Sequence, residues 1–233
     1  MLIRKSSERG TNSISWLDSK HTFSFGHYYD PKWRGFNSLL VINEDYIAPS
    51  MGFGTHPHDN MEILTFVING EIRHQDSMGS LGFIKPGEIQ VMSAGTGITH
   101  SEFNNKSDER THLLQIWVYP DKQNITPRYD QKKVFDPSEF NFLKVIAAPF
   151  KNETSGVSLN ANAKFWLGRF NRAENIIFKP TLFPQYWLQI ISGGLNVNGN
   201  SYAAGDAVAF NANEESKIDV EEHGSEFLII EVA

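Results

Sequence analysis

Ile63-Leu64-Thr65-Phe66-Val67-Ile68-Asn69-Gly70-Glu71-Ile72-Arg73-His74 reads as strand, tight turn, strand. The first six residues are β-branched, aromatic or large and apolar, types that suit a pleated and half-buried backbone. Asn-Gly accepts the positive φ values of a two-residue turn, so the stretch predicts a β-hairpin. Outward from it the same signal recurs. Pro86-Gly87 introduces Glu88-Ile89-Gln90-Val91-Met92, and Leu113-Leu114-Gln115-Ile116-Trp117-Val118 is a further apolar run. Glycine and proline separate such runs at short intervals, which predicts an all-β sandwich or barrel of many short strands. Helical periodicity is scarce. One short helix is expected at Asp136-Pro137-Ser138-Glu139-Phe140, since proline is tolerated in a first turn.

The second half echoes the first. Trp187-Leu188-Gln189-Ile190-Ile191 followed by Gly193-Gly194 parallels the strand and turn ending at Gly70. The stretch from Ala204 to Phe210 parallels Pro86 to Met92, and Phe227-Leu228-Ile229-Ile230 parallels the run at Leu113. Two tandem β-barrels are therefore expected, over residues 1–130 and 131–233, with a connection near Tyr119 to Pro127.

A chain of 233 residues has room for two small β domains, and its 40 % hydrophobic and 12 % aromatic content can fill their cores. Cysteine is absent, which rules out disulfides and thiolate metal cages. The start, Met1-Leu2-Ile3-Arg4-Lys5-Ser6, turns polar at once, and no apolar run is long enough to span a bilayer. A cytoplasmic protein without membrane attachment is the expectation. The net charge of −6, with acids and bases interspersed, gives no electrostatic grip on phosphate backbones and argues against direct nucleic-acid binding.

Two stretches carry metal chemistry. In Gly52-Phe53-Gly54-Thr55-His56-Pro57-His58 two imidazoles stand at i and i+2, so an extended backbone points both the same way. His100-Ser101-Glu102 repeats the spacing with an imidazole and a carboxylate. Taken alone, His-X-His is more often a pair of ordinary polar residues at a loop edge. Two pairs at matching spacing, on strands facing one interior, would instead supply three nitrogens and one oxygen. That donor set suits one divalent transition metal, Fe(II), Mn(II), Co(II), Ni(II), Cu(II) or Zn(II), and is too nitrogen-rich for calcium or magnesium.

The remaining histidines are read as surface or core residues, with His74 and His112 the candidates to orient a ligating imidazole. Trp16, Phe23, Phe25, Trp33 and Phe36 are read as core. Aligning the two halves sets His56 and His58 against Pro180 and Leu182, and His100 and Glu102 against Ile218 and Val220. The second barrel should hold no metal.

At these residues the chain resembles the pirin family of the cupin superfamily. The resemblance is carried by His21-Thr22-Phe23-Ser24-Phe25, Tyr28-Tyr29-Asp30-Pro31 and the His56 stretch. It continues through His74-Gln75-Asp76-Ser77-Met78-Gly79 and Met92 to Glu102, and ends near Ile125-Thr126-Pro127-Arg128-Tyr129. It implies a bicupin of two jelly-roll-type barrels, with metal only in the first, held by His56, His58, His100 and Glu102. The broader cupin pattern puts a liganding glutamate a few residues beyond His-X-His, where Glu62 sits; pirin-like sites take the carboxylate from the second motif, which favours Glu102.

The match is nearest to bacterial pirin-like quercetin 2,3-dioxygenases. What that implies is an oxidoreductase that opens a small aromatic, flavonol-like substrate with O2 and releases CO, Glu102 accepting the hydroxyl proton. The alternative is a metal-containing regulatory or redox-sensing protein that binds a protein partner. A cupin isomerase acting on a sugar or keto acid is a third possibility.

Overall fold

Strand alternation sorts the first half of the chain onto two faces. The computed structural model describes residues 1–152, 155–211 and 215–233. In chain order it begins β1 (Leu2–Arg4), β2 (Gly10–Ile14), β3 (Leu17–His21), β4 (Leu39–Ile47), β5 (Gly52–His58) and β6 (Glu62–Asn69). There follow β7 (Ile72–Asp76), β8 (Leu81–Ile84), β9 (Glu88–Ser93), β10 (Ile98–Asn104), β11 (Thr111–Val118) and β12 (Arg128–Lys133). A seven-stranded sheet runs β12-β9-β6-β11-β4-β3-β2, and a four-stranded sheet runs β5-β10-β7-β8.

The remaining strands are β13 (Phe142–Pro149), β14 (Val157–Leu159), β15 (Ala163–Phe170), β16 (Glu174–Phe178), β17 (Gln185–Val197), β18 (Asn200–Ala203), β19 (Ala207–Phe210) and β20 (Ser216–Val232). Together with β1 they form a nine-stranded sheet. The N-terminal strand thus belongs to the second half's sheet, paired antiparallel with β19. Arg4 anchors it to the first half: its buried guanidinium donates to the Thr22 carbonyl and to the Tyr28 hydroxyl.

The central strands of the seven-stranded sheet, β4, β11, β6 and β9, are largely buried on both faces, and each face has its own task. One row carries Ile42, Leu64, Phe66, Ile89, Val91, Leu114 and Ile116. It belongs to one hydrophobic cluster with Ile146, Phe165, Leu167, Trp187, Leu228 and Ile230 of the nine-stranded sheet, so the two halves share a core. The opposite face looks toward the four-stranded sheet and has three levels. Leu17, Ile47, Val67 and Leu113 form an apolar plug with Ile72 and Ile84. Ile63, Met92 and Ile98 form a second, with Trp117 against it. Between them His21, Asn43, Gln115, Thr65, Gln90 and Gln131 stand opposite one another on six successive strands, an uninterrupted polar rung.

Among the described residues the second barrel has no such rung. Its interior is filled by Phe178, Tyr186, Leu188, Ile190, Phe210, Phe227, Ile229 and their apolar neighbours, among them Ile218 and Val220. The all-β, two-barrel architecture is the one expected.

Two local expectations fail. β6 and β7 are not a hairpin: β6 pairs with β9 and β11, while β7 pairs with β8 and β10. Gly70 does take a positive φ of 87°, and a Cβ there would strike Thr111, yet the turn carries the chain from one sheet to the other. Both edges of β6 are already occupied, so no edge remains for its successor. The Asp136 segment is a turn, not a helix, with the Asp136 carboxylate accepting from the Ser138 amide at 3.1 Å. Among the described residues the only helix is the 3-10 turn Ser6–Glu8, and no helix is long and apolar enough to cross a membrane.

Candidate metal centre

β5 and β10 lie antiparallel, with His56 opposite His100 and His58 opposite Ile98. A register shift separates His100 from Glu102, and there β5 comes very close: a Cβ on Gly52 would lie 2.2 Å from the Glu102 carbonyl. The glycine is what lets the His-X-His strand cross so near its neighbour. The rings of His56, His58 and His100 converge, with centroids 4.5 to 4.9 Å apart. Their ligand atoms all lie within 4.8 Å of one another. A second cluster of the same tightness joins His74, His100 and Glu102. His100 belongs to both; Glu102 reaches the triad through it.

Hydrogen bonding directs one lone pair of each of two ligands into the cluster. His56 Nδ1 donates to the Gly54 carbonyl at 2.8 Å, so its Nε2 is the acceptor nitrogen. The Asp76 carboxylate can only accept, so His74 presents Nε2–H to it at 3.3 Å. His74 Nδ1 is then an acceptor facing His100 Nδ1 at 3.5 Å, which places the His100 proton there. That leaves His100 Nε2 unprotonated. It is buried and has no hydrogen-bond partner. An orphaned imidazole nitrogen beside two other imidazoles is what a transition metal would satisfy.

Burial, reinforced by the neighbouring imidazoles, pushes His100 down to about 3 and His58 down to about 4. Both are neutral electron-pair donors at physiological pH, and protons compete for these two nitrogens only in strong acid. The donor set fits a divalent transition ion.

Glu102 is buried, and both its oxygens are held: Oε1 accepts from the Thr65 hydroxyl at 3.2 Å and Oε2 from the Gln115 amide at 2.6 Å. Gln115 is itself held by the Trp117 indole N–H at 3.2 Å. The polar rung is therefore the scaffold of the carboxylate. Glu62 lies on the other face of β6. Its Oε2 accepts from the Asn160 amide of the second half at 3.0 Å, and it belongs to neither ligand cluster. The two proposed orienting histidines separate in the same way. His74 touches His100, whereas His112 pairs with Glu44 and stacks on Tyr46, away from the triad. No cluster of metal-binding side chains occurs among the described residues of the second barrel.

The cluster adjoins a cavity of about 650 Å³, lined in part by Thr11 and Asn12 of the edge strand β2 and by residues of the edge strand β5. Trp16, Phe25, Tyr28, Phe53 and Trp117 make its walls aromatic. Trp117 stands edge-on to His58 at 4.8 Å. Phe23 and Phe36 are core, as expected, but Trp16 and Phe25 line the cavity. Ser19, His21, Asn43 and Asp45 also line it, and as a site they escape a sequence search, because consecutive polar residues on β3 and β4 mask which of them alternate onto the cavity face.

His74→Leu should weaken metal binding about 10- to 100-fold, the usual weight of a partner that orients a ligating imidazole. Competition with a chelator measures it, and His112→Ala, on the opposite face, should change nothing.

Two family models match the chain: Pirin over residues 3–118 and the quercetinase C-terminal cupin domain over residues 145–232. A quercetin 2,3-dioxygenase of Escherichia coli is 42 % identical over 207 residues, covering 89 % of this chain and 88 % of that protein. The crystal structure of the bacterial pirin YhhW of Escherichia coli in complex with nickel(II) superposes with a TM-score of 0.92 at 38 % identity, covering 99 % of this chain and 98 % of that one. A quercetin 2,3-dioxygenase structure from Acinetobacter baumannii, 22 % identical over 96 % of this chain and 77 % of that one, shares the fold with a TM-score of 0.78.

Proposed function

The chain belongs to the pirin family, and on that basis we propose that it is a metal-dependent dioxygenase that cleaves a flavonol such as quercetin with O2 and releases CO. The observation that carries this is the convergence of three imidazoles, one with a buried and unpartnered nitrogen, at the wall of an aromatic-lined cavity of about 650 Å³. That volume lies in the range of small-molecule sites. A regulatory protein that only senses metal needs no such chamber.

His56, His58 and His100 would hold the ion, with Glu102 as the carboxylate ligand and Fe(II) as the first candidate. The nickel(II) complex of the Escherichia coli relative supports a divalent occupant without selecting this one. When bound, the ion supplies Lewis acidity that lowers the pKa of the flavonol 3-hydroxyl and brings substrate and O2 together.

The protein's own residues do the rest. Glu102 accepts the 3-hydroxyl proton: Thr65 and Gln115 occupy one acceptor site on each of its oxygens, and each oxygen has a second. The flanking aromatic walls hold a planar ring system and keep water from the reacting carbons.

The test is aerobic incubation of the metal-loaded protein with quercetin, following O2 uptake and CO release. Equal amounts of both, dependent on metal, are expected. Turnover of a sugar or keto acid without O2, and none of flavonols, would replace this assignment.

A further inference from the structure

Asp45 is a buried carboxyl group with no structural occupation to explain it. It is 3 % exposed and lines the cavity, yet its Oδ1 has no hydrogen-bond partner. Its neighbours across the sheet are Ser19 on β3 and Leu113 on β11, so it shares its level with Leu113 and Val67 of the apolar plug, and Leu17 and Ile47 of the same plug form the next level. Ser19 is its one hydrogen-bonding neighbour, and no cation pairs with it in any ion pair found among the described residues. Burial, opposed by the Ser19 hydrogen bond and helped by the nearby Glu102 charge, pushes its carboxyl up to about 7. An unpaired acid in such a place costs stability, and a leucine would pack against the plug without that cost.

The strand geometry says what the acid can reach. On β4 the positions on this face of the sheet run Val41, Asn43, Asp45, and opposite them on β11 run Trp117, Gln115, Leu113. Trp117 marks the level of His58, and Gln115 the level of Glu102. Asp45 is one level beyond Glu102 and two beyond His58, about 7 Å and about 13 Å of strand. One cavity therefore holds metal-binding imidazoles and an open carboxyl oxygen on different levels, with aromatic residues in its lining. A separation of about 7 to 13 Å along the strand exceeds one phenol ring and suits linked rings with polar groups at both ends.

We propose that Asp45 is a specificity-determining residue, its Oδ1 receiving a hydroxyl hydrogen bond from the part of the substrate remote from the metal, so that the cavity selects polyhydroxylated planar aromatics. The assignment rests on the flavonol reading of the same site. Ser19 orients the carboxyl, and the cost of the open oxygen is recovered when the substrate hydroxyl arrives. A site built to hydrogen-bond a hydroxyl discriminates strongly against the analogue that lacks it, because the buried acceptor is then left unpaired.

The test is anaerobic calorimetric titration of the metal-loaded protein with quercetin and with 3-hydroxyflavone, which keeps only the metal-directed hydroxyl. Wild-type protein should prefer quercetin by about tenfold or more. Asp45→Leu should lose most of that preference through weaker quercetin binding, with 3-hydroxyflavone affinity and metal content unchanged and a melting temperature no lower than wild type. Asp45→Asn, which keeps an acceptor oxygen and the side-chain shape, should retain part of the preference. A preference undiminished in Asp45→Leu, or an equal loss for both ligands, overturns the assignment and leaves the flavonol reading standing. Failure of wild-type protein to bind either ligand removes the flavonol reading, and the Asp45 assignment with it.

Discussion

Replacing His100 with alanine is expected to abolish stoichiometric metal binding while the chain stays folded. His100 is the residue shared by both ligand clusters, and its Nε2 is the buried nitrogen without a partner. Its other nitrogen closes the relay from Asp76 through His74, so the substitution removes a ligand and the purpose of two supporting side chains together. The loss in affinity should exceed the roughly 10- to 100-fold attributable to an orienting partner alone. The fold should survive, because the barrel is closed by the apolar levels at Leu17–Ile47–Val67–Leu113 and Ile63–Met92–Ile98 and by the shared core behind the sheet. Elemental analysis after dialysis, with circular dichroism on the same sample, is the measurement. One retained equivalent of tightly held metal in folded His100→Ala would move the site elsewhere.

Glu102→Gln, assayed at saturating metal, should lower flavonol turnover about a hundred- to ten-thousand-fold, the usual contribution of a general base. The substitution keeps the size of the side chain and an oxygen but removes the basicity. The new amide can keep its oxygen toward Gln115 and turn its NH2 to the Thr65 hydroxyl, which can accept as well as donate, so the hydrogen bond at 2.6 Å need not be lost and the fold should be unaffected. Metal affinity should fall as well, since a neutral amide oxygen is a poorer donor to a dication than a carboxylate. Glu62→Gln is the contrast. Its oxygen holds the Asn160 amide at the junction of the two halves, so it should change stability more than turnover. Wild-type turnover in metal-replete Glu102→Gln, with none in Glu62→Gln, would make Glu62 the working carboxylate.

The second barrel contributes by packing. Its interior is filled, and its outer row completes the core behind the metal-bearing sheet. The rigidity of the polar rung depends on that backing: Gln115 and Thr65 hold Glu102 from one side of the strands whose other side, at Leu114, Ile116, Leu64 and Phe66, is pressed against the second half. A site is held most firmly when the elements carrying its ligands are themselves fixed by packing.

The sequence by itself determined whatever depends on one strand at a time. Spacing of two residues put His56 with His58 and His100 with Glu102 on common faces, because alternation is a property of the extended backbone and needs no partner. The all-β class followed from composition and punctuation; of the residues aligned with the ligands, Ile218 and Val220 lie in the second interior, whereas Leu182 is exposed. Tertiary structure decided pairing and facing. Asn69-Gly70 makes a turn, but whether its flanks pair depends on which strand edges are already occupied, and both edges of β6 were. Glu62 and Thr65 sit three residues apart on one buried strand; only the docking of the nine-stranded sheet makes one face an interface and the other a site. β1 joins a sheet whose partner strand lies about two hundred residues away, and no local pattern specifies that contact. Asn43-Glu44-Asp45 hid its alternation in three consecutive polar residues, two aimed at the cavity and one at the buried Arg9. Local stereochemistry sets where a side chain can point, and long-range burial sets what it then meets.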